Sequence, residues 1–320
     1  MGDAGAHSET LMMETLRQLE NAGFKGSAIS VRHLPDLPGD FERLLGQGIL
    51  DSGFYDEIVA RYGLHWDFEP SAKLPTARSV IITAAQQPKI SLEFQYDGKK
   101  YYGIIPPTYV HDTDNTVLKV ASTYLSKYGH TVCDALLPTK LLAVRSGLAR
   151  YGKNNVTYID GWGSYFRLRA YFSDAPCTED FWQEPLAMDL CGRCTACIKK
   201  CPTGAIRQDR FLVDAGKCLT YFNETADDFP EWLDPAWHNC LIGCMVCQDV
   251  CPANKNHTSW LMLGGEFSDE ETGMILDGVS QDRLPAHATE KLKRVNMLDS
   301  YELLQRNLRV LVANSETGEH

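Results

Sequence analysis

Apolar positions change their period along the chain. Leu11, Met12, Leu16 and Leu19 recur at helical spacing before Gly23, and Phe41, Leu44, Leu45, Ile58 and Val59 continue that period, so the N-terminal stretch predicts helices. SVIITAA from Ser79 is instead a short unbroken apolar run, as in a buried strand. EFQYDGKKYYGII sets Asp97-Gly98 between aromatic-rich arms, and because that dipeptide tolerates positive φ it predicts a hairpin turn. Helical spacing returns from Asp114 to Lys127, with Val117, Leu118, Ala121 and Leu125 on one face. HTVCD predicts a strand ending at Asp134, and the stretch from Leu137 to Leu148 a helix closing at the turn RYGKNN. VTYID and SYFRLRAYF predict strands joined by the Gly161-Trp162-Gly163 turn. From Phe267 to Asn314 the pattern is mostly helical, Leu303, Leu304, Leu308 and Leu311 marking the last helix, and the terminal SETGEH is expected to fray.

These elements imply an α/β (α+β) domain over residues 1–187, a cysteine-rich unit over 188–256 and a helical C-terminal region over 257–320. Hydrophobic residues make up 44% and charged residues 23%, ordinary values for a folded soluble protein, and no low-complexity tract interrupts them. MGDAGAHSETLMMETL is acidic and helical in pattern, with no basic n-region, twin arginine or long apolar run. A cytoplasmic protein without a membrane partner is therefore expected. Lys and Arg number 31 against 42 Asp and Glu, a net charge of −11, which repels polyanions. That balance disfavours tRNA as a partner and gives no reason to expect DNA; nucleic acid would need a local basic patch.

Nine of the 11 cysteines lie between Cys191 and Cys251. Without an export signal, such crowding points to metal ligation before disulfides. Cys191, Cys194, Cys197 and Cys201-Pro202 have the spacing C-x2-C-x2-C-x3-C-P, in which three thiolates hold one cubane cluster and the fourth reaches a second. Cys244, Cys247 and Cys251-Pro252 repeat the second half, and Cys218 supplies the remaining thiol, giving eight ligands for two [4Fe-4S] clusters. The crossed arrangement assigns Cys191, Cys194, Cys197 and Cys251 to one cluster and Cys201, Cys218, Cys244 and Cys247 to the other. Structural zinc is the alternative, but it favours two C-x2-C pairs on separate knuckles. Cys240 is left over and, like Cys133 and Cys177, is expected to be a small buried apolar side chain. Two clusters carry single electrons from an outside donor, a ferredoxin or flavodoxin, to an acceptor. The marks of nicotinamide, nucleotide triphosphate and hydrolytic zinc sites are missing.

The succession HTVCDALLPTK, SGLARYGKNN, GSYFRL, CGRCTACIKKCPTGAI, KCLTYFNE and GCMVCQDVCPANK resembles the epoxyqueuosine reductase family, and more distantly the reductive dehalogenases. The resemblance runs from about Ser79 to Asn256 and is most specific in the ferredoxin part. It implies a nitroreductase-like N-terminal domain holding cobalamin base-off, a two-cluster ferredoxin-like domain and a short helical tail. It also implies reductive cleavage of a carbon-oxygen or carbon-halogen bond, in the family on a queuosine-bearing tRNA. Asp134 matches the family's proton donor, whose burial beside an apolar corrin would keep it protonated; the alternative is an N-cap for the following helix. Lys153, Asn154, Gly163, Ser164 and Tyr165, with Tyr221 beside Cys218, match positions that bind the corrinoid.

Two departures qualify the resemblance. IIPPTYVHDTDN, with two prolines and two aspartates, stands where a basic, tyrosine-bearing segment is expected, which predicts an altered substrate pocket. LQRNLRVLVANS resembles the start of an RNA-contacting helical region, but no repeat array follows. Lys291, Lys293, Arg294, Arg306 and Arg309 make a local basic cluster, expected to be a solvated helix face. Two readings remain beside the tRNA enzyme: the same cofactors acting on a small molecule, or an electron-transfer or corrinoid-reactivating protein with no substrate of its own.

Overall fold

The computed structural model of the chain describes residues 3–70 and 72–317. In chain order the elements are α1 (Asp3–Asn21), β1 (Phe24–Ser30), α2 (Asp36–Gly46), α3 (Ser52–Tyr62), β2 (Ser79–Gln86), β3 (Lys89–Tyr96), β4 (Lys99–Ile105), α4 (Asp114–Ser126), β5 (Val132–Asp134), α5 (Thr139–Arg145), β6 (Arg150–Tyr151), β7 (Thr157–Tyr158) and β8 (Phe166–Ser173). They continue with α6 (Ala196–Lys200), α7 (Leu219–Glu224), α8 (Val246–Asp249), β9 (Leu261–Phe267), α9 (Asp269–Leu276), α10 (Ala286–Arg294) and α11 (Tyr301–Thr317). Residues 318–320, part of the segment expected to fray, lie outside the described residues. No described helix is long and apolar enough to cross a membrane.

The chain forms two compact units that interleave along the sequence, where consecutive segments were expected. The first comprises residues 1–86, 113–161 and 168–192; the second, 87–112, 162–167 and 193–320. The first unit is built on a sheet of order β1-β2-β8-β5. β2 sits inside it, which is why SVIITAA is apolar on both faces: every residue from Ser79 to Ala85 is buried. α1 and α4 bring Leu11, Leu19, Val117, Ala121 and Leu125 against Ile81 and Tyr171. β1 was missed in the sequence because Lys25, Gly26 and Ser27 break its apolar run. Its residues pair antiparallel with β2 from Phe24↔Ala85 to Ser30↔Ser79. A Cβ on Gly26 would lie 3.2 Å from Leu16 Cδ2 and 3.3 Å from Ile82 O, so a small residue belongs there. β7 pairs with β6 and not, as its turn suggested, with β8.

The second unit holds the sheet β4-β3-β9. Asp97 and Gly98 take φ of 49° and 70°, the left-handed pair a two-residue turn requires, and β3 and β4 pair from Ile90↔Ile105 to Tyr96↔Lys99. β9 (Leu261–Phe267) is a strand within the region 257–320 expected to be helical: it runs parallel to β3, with Phe94↔Phe267 at one end. Its sequence LMLGGEF has neither helical nor alternating period, and Leu261, Met262 and Leu263 stay about half exposed. α9, α10 and α11 close the core through Ile275, Leu292, Leu304 and Leu308 against Leu92, Phe94, Ile105 and Phe267. A capping box of Ser268 and Glu271 starts α9.

Candidate metal centre

The cysteine motifs lie on short helices because their prolines end them. Cys201 and Cys251 each precede a proline, which disfavours helical backbone at that residue. Their ψ angles are 114° and 124°, so each turns out of its helix into extended chain. The cysteine before proline in each motif, Cys201 or Cys251, thus leaves the path of the other thiols, a direction that suits ligation of a second cluster. α6, which carries Cys197, packs against α8, which carries Cys247.

All 11 cysteines are outside disulfides. Burial pushes the Cys218 thiol up, and Cys201 and Glu224 push it further in the same direction. Burial raises Cys244 to about 11, with Cys218 and Cys201 adding to it. Cys201, Cys218 and Cys244 therefore lie within electrostatic reach of one another, and all three fall in one expected ligand set. Crowded, desolvated thiols of this kind fit an iron core, whose positive charge stabilises their thiolates. Among the described residues no three His, Cys, Asp or Glu side chains converge as they would on a single ion. A cubane spreads its irons over separate corners and needs no such convergence.

The loop around the second motif is fixed by contacts that spacing alone does not reveal. Leu241 N–H donates to Ile104 O of β4 at 2.8 Å, and a Cβ on Gly103 would overlap the Leu241 side chain. Gly243, at φ 68°, lies against the Tyr109 ring, and Tyr109 OH donates to Glu224. Asn223 Nδ2 donates to Gly243 O at 2.8 Å, and Asn239 Nδ2 to Cys244 Sγ at 3.2 Å. The unusual segment IIPPTYVHDTDN thus supplies, in Tyr109, a wall of the cysteine loop. Cys240 is fully buried with Tyr165 and Met245, as a small apolar side chain would be.

Several residues matched to corrinoid binding hold this same loop. Ser164 N–H donates to Asn254 Oδ1 at 2.8 Å, Ser164 Oγ to Gln248 Oε1 at 2.8 Å, and Asn254 Nδ2 to Ser164 Oγ at 2.9 Å. Tyr165 OH donates to Asp249 at 3.0 Å, while a Cβ on Gly163 would overlap Asn254 Oδ1. Asn154 is buried in the first unit, with its Nδ2 on Tyr158 OH at 2.8 Å. Lys153 and Tyr221 remain partly exposed. Asp134 ends β5 and does not cap α5, whose N-cap position is Pro138. Its side chain is 48% exposed and accepts from Arg169 Nη2 at 2.5 Å. The expected burial of this carboxyl is therefore not found.

Paired cysteine loops on packed helices are those of a two-cluster iron-sulfur protein, and the family described as "4Fe-4S double cluster binding domain" matches residues 190–254. Curated relatives are epoxyqueuosine reductases. That of Cyclobacterium marinum is 40% identical over 35% of this chain and 36% of its own length, and that of Cellulophaga algicola 34% identical over 60% and 63%. The Synechococcus relative is 39% identical over 48% of this chain and 50% of its own. The chain thus spans from about a third to under two thirds of these relatives. Solved structures extend the likeness in fold. A selenomethionine-labelled epoxyqueuosine reductase aligns with a TM-score of 0.65 at 21% identity, covering 95% of this chain and 82% of that one. An epoxyqueuosine reductase with an epoxyqueuosine-modified tRNA stem loop aligns at 0.64 and 20% identity, over 95% and 81%. The mixed α/β architecture and the resemblance read from the motifs are both supported by these matches.

Proposed function

We propose that the protein is an iron-sulfur reductase that uses two [4Fe-4S] clusters and a base-off cobalamin to remove oxygen from an epoxyqueuosine-type substrate. The observation that carries this reading is the packing of α6 on α8, with Cys201, Cys218 and Cys244 in electrostatic reach of one another. Loss of an epoxide oxygen as water consumes two electrons and two protons, and two one-electron clusters match that count. A low-potential ferredoxin or flavodoxin would supply the electrons. The nitroreductase-like and ferredoxin-like assignments of the two parts go with this reading.

Cobalamin, when bound, supplies a low-valent cobalt able to reduce a carbon-oxygen bond. The side chains of Asn154, Ser164 and Tyr165 are engaged within the protein, so their contribution to corrin binding is to shape the backbone around it. Lys153 and Tyr221, each partly exposed, are carried over by resemblance as side chains that would meet the cofactor, and Gly163 offers only backbone. Asp134 is the proton donor in this reading: half exposed at a strand end, it is held by Arg169 and open to substrate. A Bacillus subtilis epoxyqueuosine reductase of the same fold is described with an aspartate-bearing catalytic loop swung out of its active site. Asp134→Asn should leave both clusters reducible and lower turnover by at least about a hundredfold, as loss of a general acid does. Undiminished turnover would remove Asp134 from the chemistry, whereas activity seen only in a coupled assay with a partner, and unchanged by the substitution, would favour a carrier protein.

tRNA is the substrate class that the stem-loop complex of the fold neighbour supports, and it outweighs the net charge of −11. A small-molecule substrate is the second reading, favoured by the fate of the basic residues at the C-terminal end. Lys291 binds Glu271 at 2.8 Å, Arg306 donates to the carbonyls of Phe222 and Asp227, and Arg309 donates to Leu276 O at 2.7 Å. Lys291 and Arg306 are thus partly buried and support the fold, whereas Lys293, Arg294 and Arg309 remain exposed, as expected of a solvated helix face. Binding of modified tRNA across a salt series separates the readings, because phosphate contacts give a steep slope and a small-molecule enzyme gives none.

A further inference from the structure

Asn239 lies five residues before Cys244, and its amide makes four hydrogen bonds. Nδ2 donates to Trp237 O at 3.0 Å and to Cys244 Sγ at 3.2 Å. Oδ1 accepts from the Met245 backbone N–H at 2.9 Å and from Cys240 Sγ at 3.1 Å. Chemistry fixes the amide's direction: a backbone N–H can only donate and a backbone carbonyl can only accept. The group facing Cys244 Sγ is therefore an N–H. Cys240 is fully buried, and burial pushes its thiol far up, so it stays an S–H donor to Oδ1. The ninth cysteine of the region, which the ligand count leaves over, is thereby part of the clamp that aims the amide.

We propose that Asn239, clamped by Cys240 and the Met245 backbone, is a positioning residue for the cluster ligated by Cys244 and raises that cluster's reduction potential. The proposal rests on Cys244 being a cluster ligand. An N–H dipole aimed at a thiolate sulfur stabilises the extra negative charge that reduction brings, and hydrogen bonds to the sulfurs are among the main determinants of cluster potential. Its removal makes reduction harder.

The test is a redox titration of the anaerobically purified holoprotein, followed by electron paramagnetic resonance, with iron counted in the same samples. Asn239→Leu removes the N–H at similar volume; Cys240→Ala leaves the amide and removes one of its two holders. In Asn239→Leu one cluster's midpoint should move negative while the other stays and iron is retained. Cys240→Ala should shift the same midpoint in the same direction by less. Unchanged midpoints with full iron in Asn239→Leu overturn the proposal. Should Asn239→Leu lose iron, an unchanged midpoint in Cys240→Ala overturns it equally. A wild-type protein without cluster signals would instead remove the cluster reading itself, and the proposal with it.

Discussion

Around the first cysteine motif Gly192, Arg193, Lys199 and Lys200 are exposed, whereas around the second Leu241, Ile242, Gly243 and Met245 are buried. One spacing thus occurs in two settings. The first presents positive charge to solvent. The second is enclosed by Gly103, Tyr109 and the amides of Asn223 and Asn239. Motif spacing sets which atoms a cluster can have as ligands; the surroundings set how tightly its loop is held and how readily it accepts an electron.

Removing one ligand from each motif sharpens this contrast and has the largest expected effect. If, as proposed, Cys194 and Cys244 ligate different clusters, Cys194→Ala and Cys244→Ala should each lower iron from about eight to about four per chain. The thermal midpoint should fall further in Cys244→Ala, because that cluster's binding energy is coupled to folding of a buried loop. Iron content and calorimetry on the same preparations check both statements. Equal falls in midpoint would mean that the enclosure of the second motif adds nothing to stability.

The same contrast marks what could be read in the sequence. The double-cluster cysteine spacing and the α4 helix were legible, because a rigid spacing and a 3.6-residue period survive in one dimension; the Asp97-Gly98 turn was legible because its φ requirement admits few residues. β1 and β9 were not, since Lys25, Gly26 and Ser27 in one and Gly264-Gly265 in the other erase the period, and partner strands distant in sequence decide them. Ser164 and Tyr165 were singled out at the sequence level as cofactor contacts, yet their hydrogen bonds run to Asn254, Gln248 and Asp249. Asn239 had no signal at all: its role depends on the fold carrying Cys240 and Met245 to the same amide.

His238, next to Asn239, offers a smaller effect that depends on pH. It is buried, Phe229 meets its ring edge-on at 4.5 Å, and among the described residues neither ring nitrogen has a hydrogen-bond partner. Burial, and after it the charge of Arg306, lowers its pKa to about 4. The unfolded chain, with an ordinary value near ~6.5, takes the proton first as pH falls. The neutral ring's contribution is therefore complete above ~6.5 and is lost on the way down to about 4, by up to ~3 kcal/mol in all. Denaturant unfolding of wild type should show stability falling between about pH 7 and about pH 5. His238→Phe should show a shallower fall over the same range, and parallel curves would mean that the buried ring does not titrate with unfolding.

The smallest effect is kinetic and tests the exposed side of the comparison. If electrons enter at the first motif, Lys199 and Lys200 face an incoming donor, and an acidic donor is drawn to them even though the chain as a whole is negative. Lys199→Glu with Lys200→Glu should slow cluster reduction by such a donor a few-fold at low ionic strength, with the difference vanishing at high salt. Reduction by a small uncharged chemical reductant should be unchanged, which separates docking from a change in the cluster. Stopped-flow absorbance at several salt concentrations reads both rates. A wild-type rate independent of salt, or one altered equally for both reductants, would move the entry point away from these lysines and leave the open setting of the first motif without a part in electron delivery.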